Sequence, residues 1–248
     1  MGERMRGTVC LVTGGGQGIG QAIAARLHAE GARVAIADRD LERARDAAAA
    51  LDGAIAVELD VADLDAHASA LDEVERRLGV VGVLVNNAGV GPHSALLDVT
   101  PDLWDTVHSV NLRGAFFLLQ AVARRMVAHG IAGSIVNVTS VVADRVWMPS
   151  TAYAASKRAL ATVTEYAAAE LGPHGIRVNN LCPGPTDTPL SAPRYQDPAF
   201  REAMVARLPL GRVGTPGDLA EAALFLASES SAFTTGSTLY VEGGRRVG

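Results

Sequence analysis

Short apolar runs alternate with helix-patterned segments along nearly the whole chain, and this alternation limits the fold more than any other feature. The runs TVCLVT, RVAIAD, AIAVELD, VGVLVNNAG, SIVNVTS, GIRVNNLCPG and TLYVEGG read as seven strands. Helices are predicted over about Gly18 to Glu30, LERARDAAAAL, about Asp63 to Leu78, about Pro101 to His129, and TAYAASKRALATVTEYAAAEL. Strands joined by helices of that length must run parallel, with right-handed crossovers and helices over both faces. One stretch, Pro189 to Pro216, is rich in Pro and Arg and breaks the pattern. It reads as an insertion over about residues 189–213 with a short helix at Phe200 to Leu208. No linker or internal repeat divides the chain, so the expectation is a single α/β, doubly wound domain over residues 1–248, its seven-stranded parallel sheet flanked by helices.

Composition supports a packed core: 48% of residues are apolar and only 20% charged. The formal net charge of −5, with no Lys/Arg cluster, argues against a nucleic-acid partner. Apolar runs are far shorter than the roughly 20 residues of a membrane-spanning helix, and the N-terminus lacks a secretory pattern. A cytoplasmic protein without a membrane partner is the expectation. Cys10 and Cys182 sit in strand-like runs and read as buried, reduced thiols. His93, His108 and His129 are scattered without metal-ligand spacing, so no metal site is expected. The sequon at Asn137 falls in a predicted buried strand and is read as chance.

In doubly wound sheets, ligands bind beyond the carboxyl ends of the strands. The first such end carries Thr13-Gly14-Gly15-Gly16-Gln17-Gly18-Ile19-Gly20, between a strand and a helix. Backbone N–H groups and the helix dipole there suit an anionic ligand, with phosphate the natural guess. The spacing is G-x-x-x-G-x-G, and Gln21 stands where a P-loop requires lysine. Asp38, ending the second run, is placed either to accept the hydroxyls of an adenosine ribose or, like Asp40, to cap the next helix. A carboxylate there repels a 2′-phosphate and favours NAD over NADP, although the neighbouring Arg39 could receive a phosphate. Gln17 adds no positive charge to the loop, in keeping with NAD.

Ser140, Tyr153 and Lys157 bring together a hydroxyl, a phenol and an ammonium. Tyr153 and Lys157 lie four apart on a predicted helix, hence on one face. A free tyrosine titrates near 10, too high for an efficient base, and the Lys157 charge would favour the phenolate. Ser140 would hydrogen-bond the substrate oxygen.

Taken in order, these motifs resemble those of the short-chain dehydrogenase/reductases of about 250 residues, over nearly the whole chain. The likeness rests on Thr13-Gly14-x-x-x-Gly18-x-Gly20, Asp60-Val61, Asn86-Asn87-Ala88-Gly89, Asn111, Ser140, Tyr153-x-x-x-Lys157, and Pro183-Gly184 followed by Thr186 and Thr188. It implies a Rossmann domain whose catalytic residues are Asn111, Ser140, Tyr153 and Lys157. It further implies an NAD(P) site formed by Gly14, Gln17, Gly18, Ile19, Gly20, Asp38, Arg39, Asp60 and Val61. Asn87, Ala88, Gly89, Tyr153, Lys157, Pro183, Gly184, Thr186 and Thr188 complete that site. Lys157 would also bind the nicotinamide ribose, Asn111 would order a water near Lys157, and the chain would form a homotetramer.

The implied activity is reversible hydride transfer between NAD(H) and a secondary alcohol or ketone, such as a small alcohol, polyol or sugar. Pocket walls are expected after Gly89 (Val90 to Ser94, including His93), between Ser140 and Tyr153 (Arg145, Trp147, Met148), and in the insertion (Arg194, Tyr195). His93, Ser140, Arg145, Trp147 and Tyr153 are the candidate substrate contacts. Two alternatives are a 3-oxoacyl-[acyl-carrier-protein] reductase and a non-catalytic nucleotide-binding member. Asp38 and the lack of a basic docking patch weigh against the first, and retention of all four catalytic candidates against the second.

Overall fold

The computed structural model describes residues 2–146 and 149–247. Its centre is one parallel sheet of β1 (Val9–Thr13), β2 (Arg33–Asp38), β3 (Ile55–Glu58), β4 (Val83–Asn86), β5 (Ser134–Val138), β6 (Arg177–Pro183) and β7 (Thr238–Val241). The strand order is β3-β2-β1-β4-β5-β6-β7. All seven expected strands form, mostly trimmed by a residue or more at their ends. Their near-unbroken apolar content reflects burial on both faces.

One face is covered by α1 (Gly18–Ala29), α2 (Leu41–Ala49) and α9 (Pro216–Ala227). There Ile23, Leu27, Ala44, Leu219 and Leu224 pack against Val12, Ile36 and Val136. The other face carries α3 (Ala66–Leu78), α5 (Ala115–Ala128) and α6 (Thr151–Leu171). Leu71, Val74, Leu118, Val122 and Ala168 meet Leu11, Leu84 and Ile135 there. The alternation of inward side chains along each strand thus feeds two cores.

Three features depart from the sequence expectation. The helix predicted over 101–129 is α4 (Pro101–His108) and α5 joined by a π-helical turn, Ser109–Gly114. The insertion holds two short helices, α7 (Ala192–Tyr195) and α8 (Pro198–Val205), rather than one at 200–208. Alternation resumes after it with α9, a helix missing from the sequence reading. Its signal was present: Thr215 and Asp218 form a capping box around Pro216.

A buried polar ladder crosses the right half of the sheet. Asn86, Asn137, Asn180 and Thr238 occupy successive register positions on β4 to β7. Asn86 Nδ2 donates to Asn137 Oδ1 at 2.9 Å, and Asn137 Nδ2 to Thr164 Oγ1 of α6 at 2.8 Å. Thr164 donates to Asn180 Oδ1 at 2.7 Å, and Asn180 Nδ2 donates to Thr238 Oγ1 at 3.1 Å. Asn137 therefore serves strand pairing from a position with no exposed surface. Thr164→Val keeps the volume but leaves two buried amides without their shared partner. A loss of about 1–3 kcal/mol in urea denaturation is expected, with an unchanged far-UV spectrum.

Candidate active site

β2 lies on one side of β1 and β4 on the other, so the loops after β1 and β4 diverge and open a crevice. The glycine loop forms its floor. A Cβ on Gly20 would meet Gly14 O at 2.3 Å and Asn87 Nδ2 at 2.5 Å, so only glycine lets α1 start this close to the loop. Asn87 fixes the loop by donating Nδ2 to Thr13 O at 2.9 Å and to Gly14 O at 3.0 Å. The Thr13 hydroxyl accepts from Asn87 N and Ala88 N, both at 3.1 Å.

Asp38 stands at the outer end. Its Oδ2 accepts from Gly16 N and its Oδ1 from Asp40 N, each at 3.1 Å. Capping of α2 belongs to Asp40, which accepts from Arg43 N at 3.2 Å. The structure therefore separates two roles that the sequence left open for Asp38. A cavity of about 200 Å³ is lined here by Gly14, Gln17, Gly18, Ile19, Asp38 and Arg39, then by Asp60, Val61, Asn87, Ala88 and Gly89. Asp60 shapes its edge by accepting from Ala62 N at 2.9 Å. A glycine cradle at a helix start, with a carboxylate beyond it, fits a dinucleotide.

The cavity continues into a second of about 240 Å³ that shares Ile19, Asn87, Gly89 and Thr188 with the first. Ser140, Tyr153, Lys157, Pro183, Gly184 and Thr186 line it. Ser140 caps a short turn after β5, whereas Tyr153 and Lys157 project from α6. Burial pushes the Tyr153 phenol up, and its hydrogen bond with Ser140 pulls it down. Lys157 is 3% exposed, and its ammonium donates to Val138 O at 2.8 Å and lies 5.9 Å from the Tyr153 ring centroid. Burial lowers it from 10.5 to about 8. A Cβ on Gly89 would come within 3.4 Å of Lys157 Nζ.

Two predicted residues lie behind the crevice instead of lining it. Gly20 is the packing point described above. Asn111, with no exposed surface, has both ends of its amide engaged: Oδ1 accepts from Val90 N and Nδ2 donates to Val90 O, each at 2.8 Å. Nδ2 also donates to Ser156 Oγ at 3.1 Å. The Asn111 side chain thus clamps the segment after β4, at Val90, to α6. Ser156, which donates in turn to Tyr153 O at 2.7 Å, escaped the sequence reading because a helix serine carries no distinguishing pattern.

Among the candidate substrate contacts, His93 and Arg145 reach the second cavity, joined by Tyr195 from α7. His93 Nδ1 meets Pro149 O at 2.8 Å and Ser150 Oγ at 3.2 Å. Trp147 and Met148 lie outside the described residues, as does the side chain of Arg194. Arg245 also lines this cavity. No motif marks it in the sequence.

The profile described as enoyl-(acyl carrier protein) reductase matches residues 14–246. L-xylulose reductase of Bos taurus is 41% identical over 98% of both chains. L-rhamnose 1-dehydrogenase (NAD(P)(+)) of Azotobacter vinelandii is 40% identical over 94% of both. A gluconate 5-dehydrogenase from Burkholderia cenocepacia, solved with NADP and tartrate, superposes with a TM-score of 0.94 at 37% identity, covering 99% of this chain and 98% of that one. With the profile spanning nearly the whole chain and relatives at this identity, the protein belongs to the short-chain dehydrogenase/reductase family.

Proposed function

We propose that this protein is an NAD(H)-dependent oxidoreductase that interconverts a secondary alcohol, of the sugar or polyol class, and its ketone. The observation that carries this reading is the single crevice joining the glycine cradle and Asp38 to the Ser140, Tyr153 and Lys157 cluster. Sugar chemistry in the names of the relatives supports the substrate class.

A nicotinamide dinucleotide held by the glycine cradle, Asp38 and Lys157 would supply the hydride acceptor for the carbinol carbon. Tyr153 takes the hydroxyl proton as the carbonyl forms, and returns it in the reverse direction. Ser140 donates to the reacting oxygen and holds it near the phenol. Lys157 supplies the positive field that favours the phenolate. Burial of Tyr153 works against the phenolate and the Ser140 hydrogen bond works for it; the positive charge of an oxidised nicotinamide would act in the same sense as Ser140. Asn111 and Ser156 act as positioning residues through Val90 and the Tyr153 carbonyl. Pro189 and Leu190, at the mouth of the first cavity, begin a lid over residues 189–213. Exposed Trp104, Phe117 and Tyr166 on α4, α5 and α6 are consistent with assembly as a homotetramer.

Tyr153→Phe should lower kcat by roughly 10²–10⁴-fold while NADH affinity, read by fluorescence titration, stays within a few fold. Near-normal turnover would refute the role given to Tyr153.

Cofactor choice is read from Asp38, whose carboxylate has lone pairs to spare for a ribose diol beyond those used by Gly16 N and Asp40 N. The kcat/KM for NAD should exceed that for NADP by at least about tenfold, or 1.4 kcal/mol. Asp38→Ser should narrow the ratio, and a wild-type preference for NADP would overturn the assignment.

Lys157 also predicts a pH effect on stability. Its value falls from 10.5 to about 8 on folding, so the unfolded chain binds the extra proton between those limits. The favourable term is full above 10.5 and is lost as pH falls through 8. At neutral pH the buried ammonium therefore costs about 3 kcal/mol. Lys157→Met, which also loses the bond to Val138 O, should raise unliganded stability at pH 7 by about 1–3 kcal/mol, with the gain shrinking toward pH 10. Urea denaturation at both pH values checks this.

A further inference from the structure

On the substrate side of the crevice, the segment that leaves β4 is anchored on both sides of a glycine. Asn111 fixes Val90 by accepting from its N–H and donating to its C=O, each at 2.8 Å. That carbonyl belongs to the Val90–Gly91 peptide. Beyond it, Pro92 has a ring-locked φ, and His93 Nδ1 meets Pro149 O at 2.8 Å. Gly91 lies between these anchors and lines the cavity of about 240 Å³ shared by Ser140, Tyr153 and Lys157.

Other glycines around this cavity have packing reasons to be there. A Cβ on Gly184 would meet Glu242 Cα at 2.5 Å, and one on Gly89 would come within 3.2 Å of Asn111 Oδ1. Neither constraint applies to Gly91. Its φ lies outside the left-handed region, so the backbone does not exclude an L side chain. A Cβ there would meet Tyr153 Cε2 at 3.7 Å, and Tyr153 Cδ2 and Leu190 Cδ2 at 3.8 Å, all ordinary van der Waals distances. Folding therefore does not demand glycine at this position. What the missing side chain leaves is a gap bordered by the edge of the Tyr153 ring and by Leu190. The bordering atoms are carbons, which suit the carbon skeleton of a ligand. Cε2 is bonded to the carbon that bears the phenolic oxygen, so the gap opens beside the group proposed to move the proton.

We infer, resting on the oxidoreductase reading above, that Gly91 is a specificity-determining residue: the gap it leaves receives the longer carbon arm of the secondary alcohol, in contact with the Tyr153 ring and Leu190. One methylene more or less in an apolar pocket changes discrimination by roughly 10–200-fold. A methyl group at position 91 takes up space of that order.

Reduction of dihydroxyacetone, erythrulose, xylulose and fructose by NADH, with both enantiomers of each chiral sugar, tests the inference. These ketoses share a hydroxymethyl arm and differ in the length of the other. Gly91→Ala should lower the kcat/KM of the best longer-armed ketose, relative to that of dihydroxyacetone, by about tenfold or more, and Gly91→Val should lower the ratio further. Leu190→Ala added to Gly91→Ala removes carbon from the other border of the gap and should restore most of the ratio. Leu190→Phe narrows the gap from an exposed residue and should shift the ratio the same way as Gly91→Ala, which decides the matter even where a Gly91 variant does not fold. NADH fluorescence titration and the thermal midpoint monitor the cofactor site and the fold in every variant. A ratio unmoved by the narrowing variants, a loss equal across the series, or no recovery in the double variant would overturn the inference and leave the oxidoreductase reading standing. Wild-type protein that reduces none of these ketoses, and oxidises none of the corresponding polyols with NAD, would instead remove the sugar and polyol reading and the inference with it.

Discussion

The reversal of strand order at β1 is the constraint on which the rest of the molecule depends. Right-handed crossovers carry the chain from β1 outward through β2 to β3, then back across to β4 on the opposite side. Loops leaving β1 and β4 must therefore part. The groups proposed to meet cofactor and substrate border the resulting gap: the glycine cradle after β1, Asp38 at the end of β2, Gly89 after β4, and Ser140 after β5. Asn87 keeps the gap at fixed width by bonding across it to the carbonyls of Thr13 and Gly14.

Within that frame, the role proposed for Lys157 and the stability of the fold pull in opposite directions. An ammonium is held in the protein interior on a single carbonyl, Val138 O. Nearby, Asn111 spans Val90 and Ser156. The fold holds that charge on the same helix as the Tyr153 phenol, while the Asn86, Asn137, Thr164 and Asn180 ladder ties α6 to the sheet. Placing Tyr153 and Lys157 on that same helix gives both a rigid base.

Legibility in the sequence followed locality. Strand periodicity, the glycine loop and the Tyr153 to Lys157 spacing are short-range patterns, and the structure places each of them at the crevice or in the sheet as expected. Asp38 could not be separated from Asp40 as a helix cap, because that distinction depends on a bond from Gly16 N, far back in the chain. Asn137 looked incidental since its side-chain partners sit on another strand and a helix. The helix over Pro216–Ala227 was legible from its capping box but was obscured by the Pro-rich stretch before it. Arg245 was invisible for a different reason: its position depends on a two-glycine turn and a clasp from Arg145, about a hundred residues earlier.

In the proposed reaction one crevice couples proton transfer at Tyr153 to hydride transfer at an alcohol carbon. The most direct measurement uses a secondary alcohol substrate carrying deuterium at the carbinol carbon, with the reduced cofactor analysed by mass spectrometry. Direct transfer predicts reduced cofactor heavier by a single deuterium, with none released to water. Unlabelled reduced cofactor, with the deuterium recovered in solvent, would contradict the account.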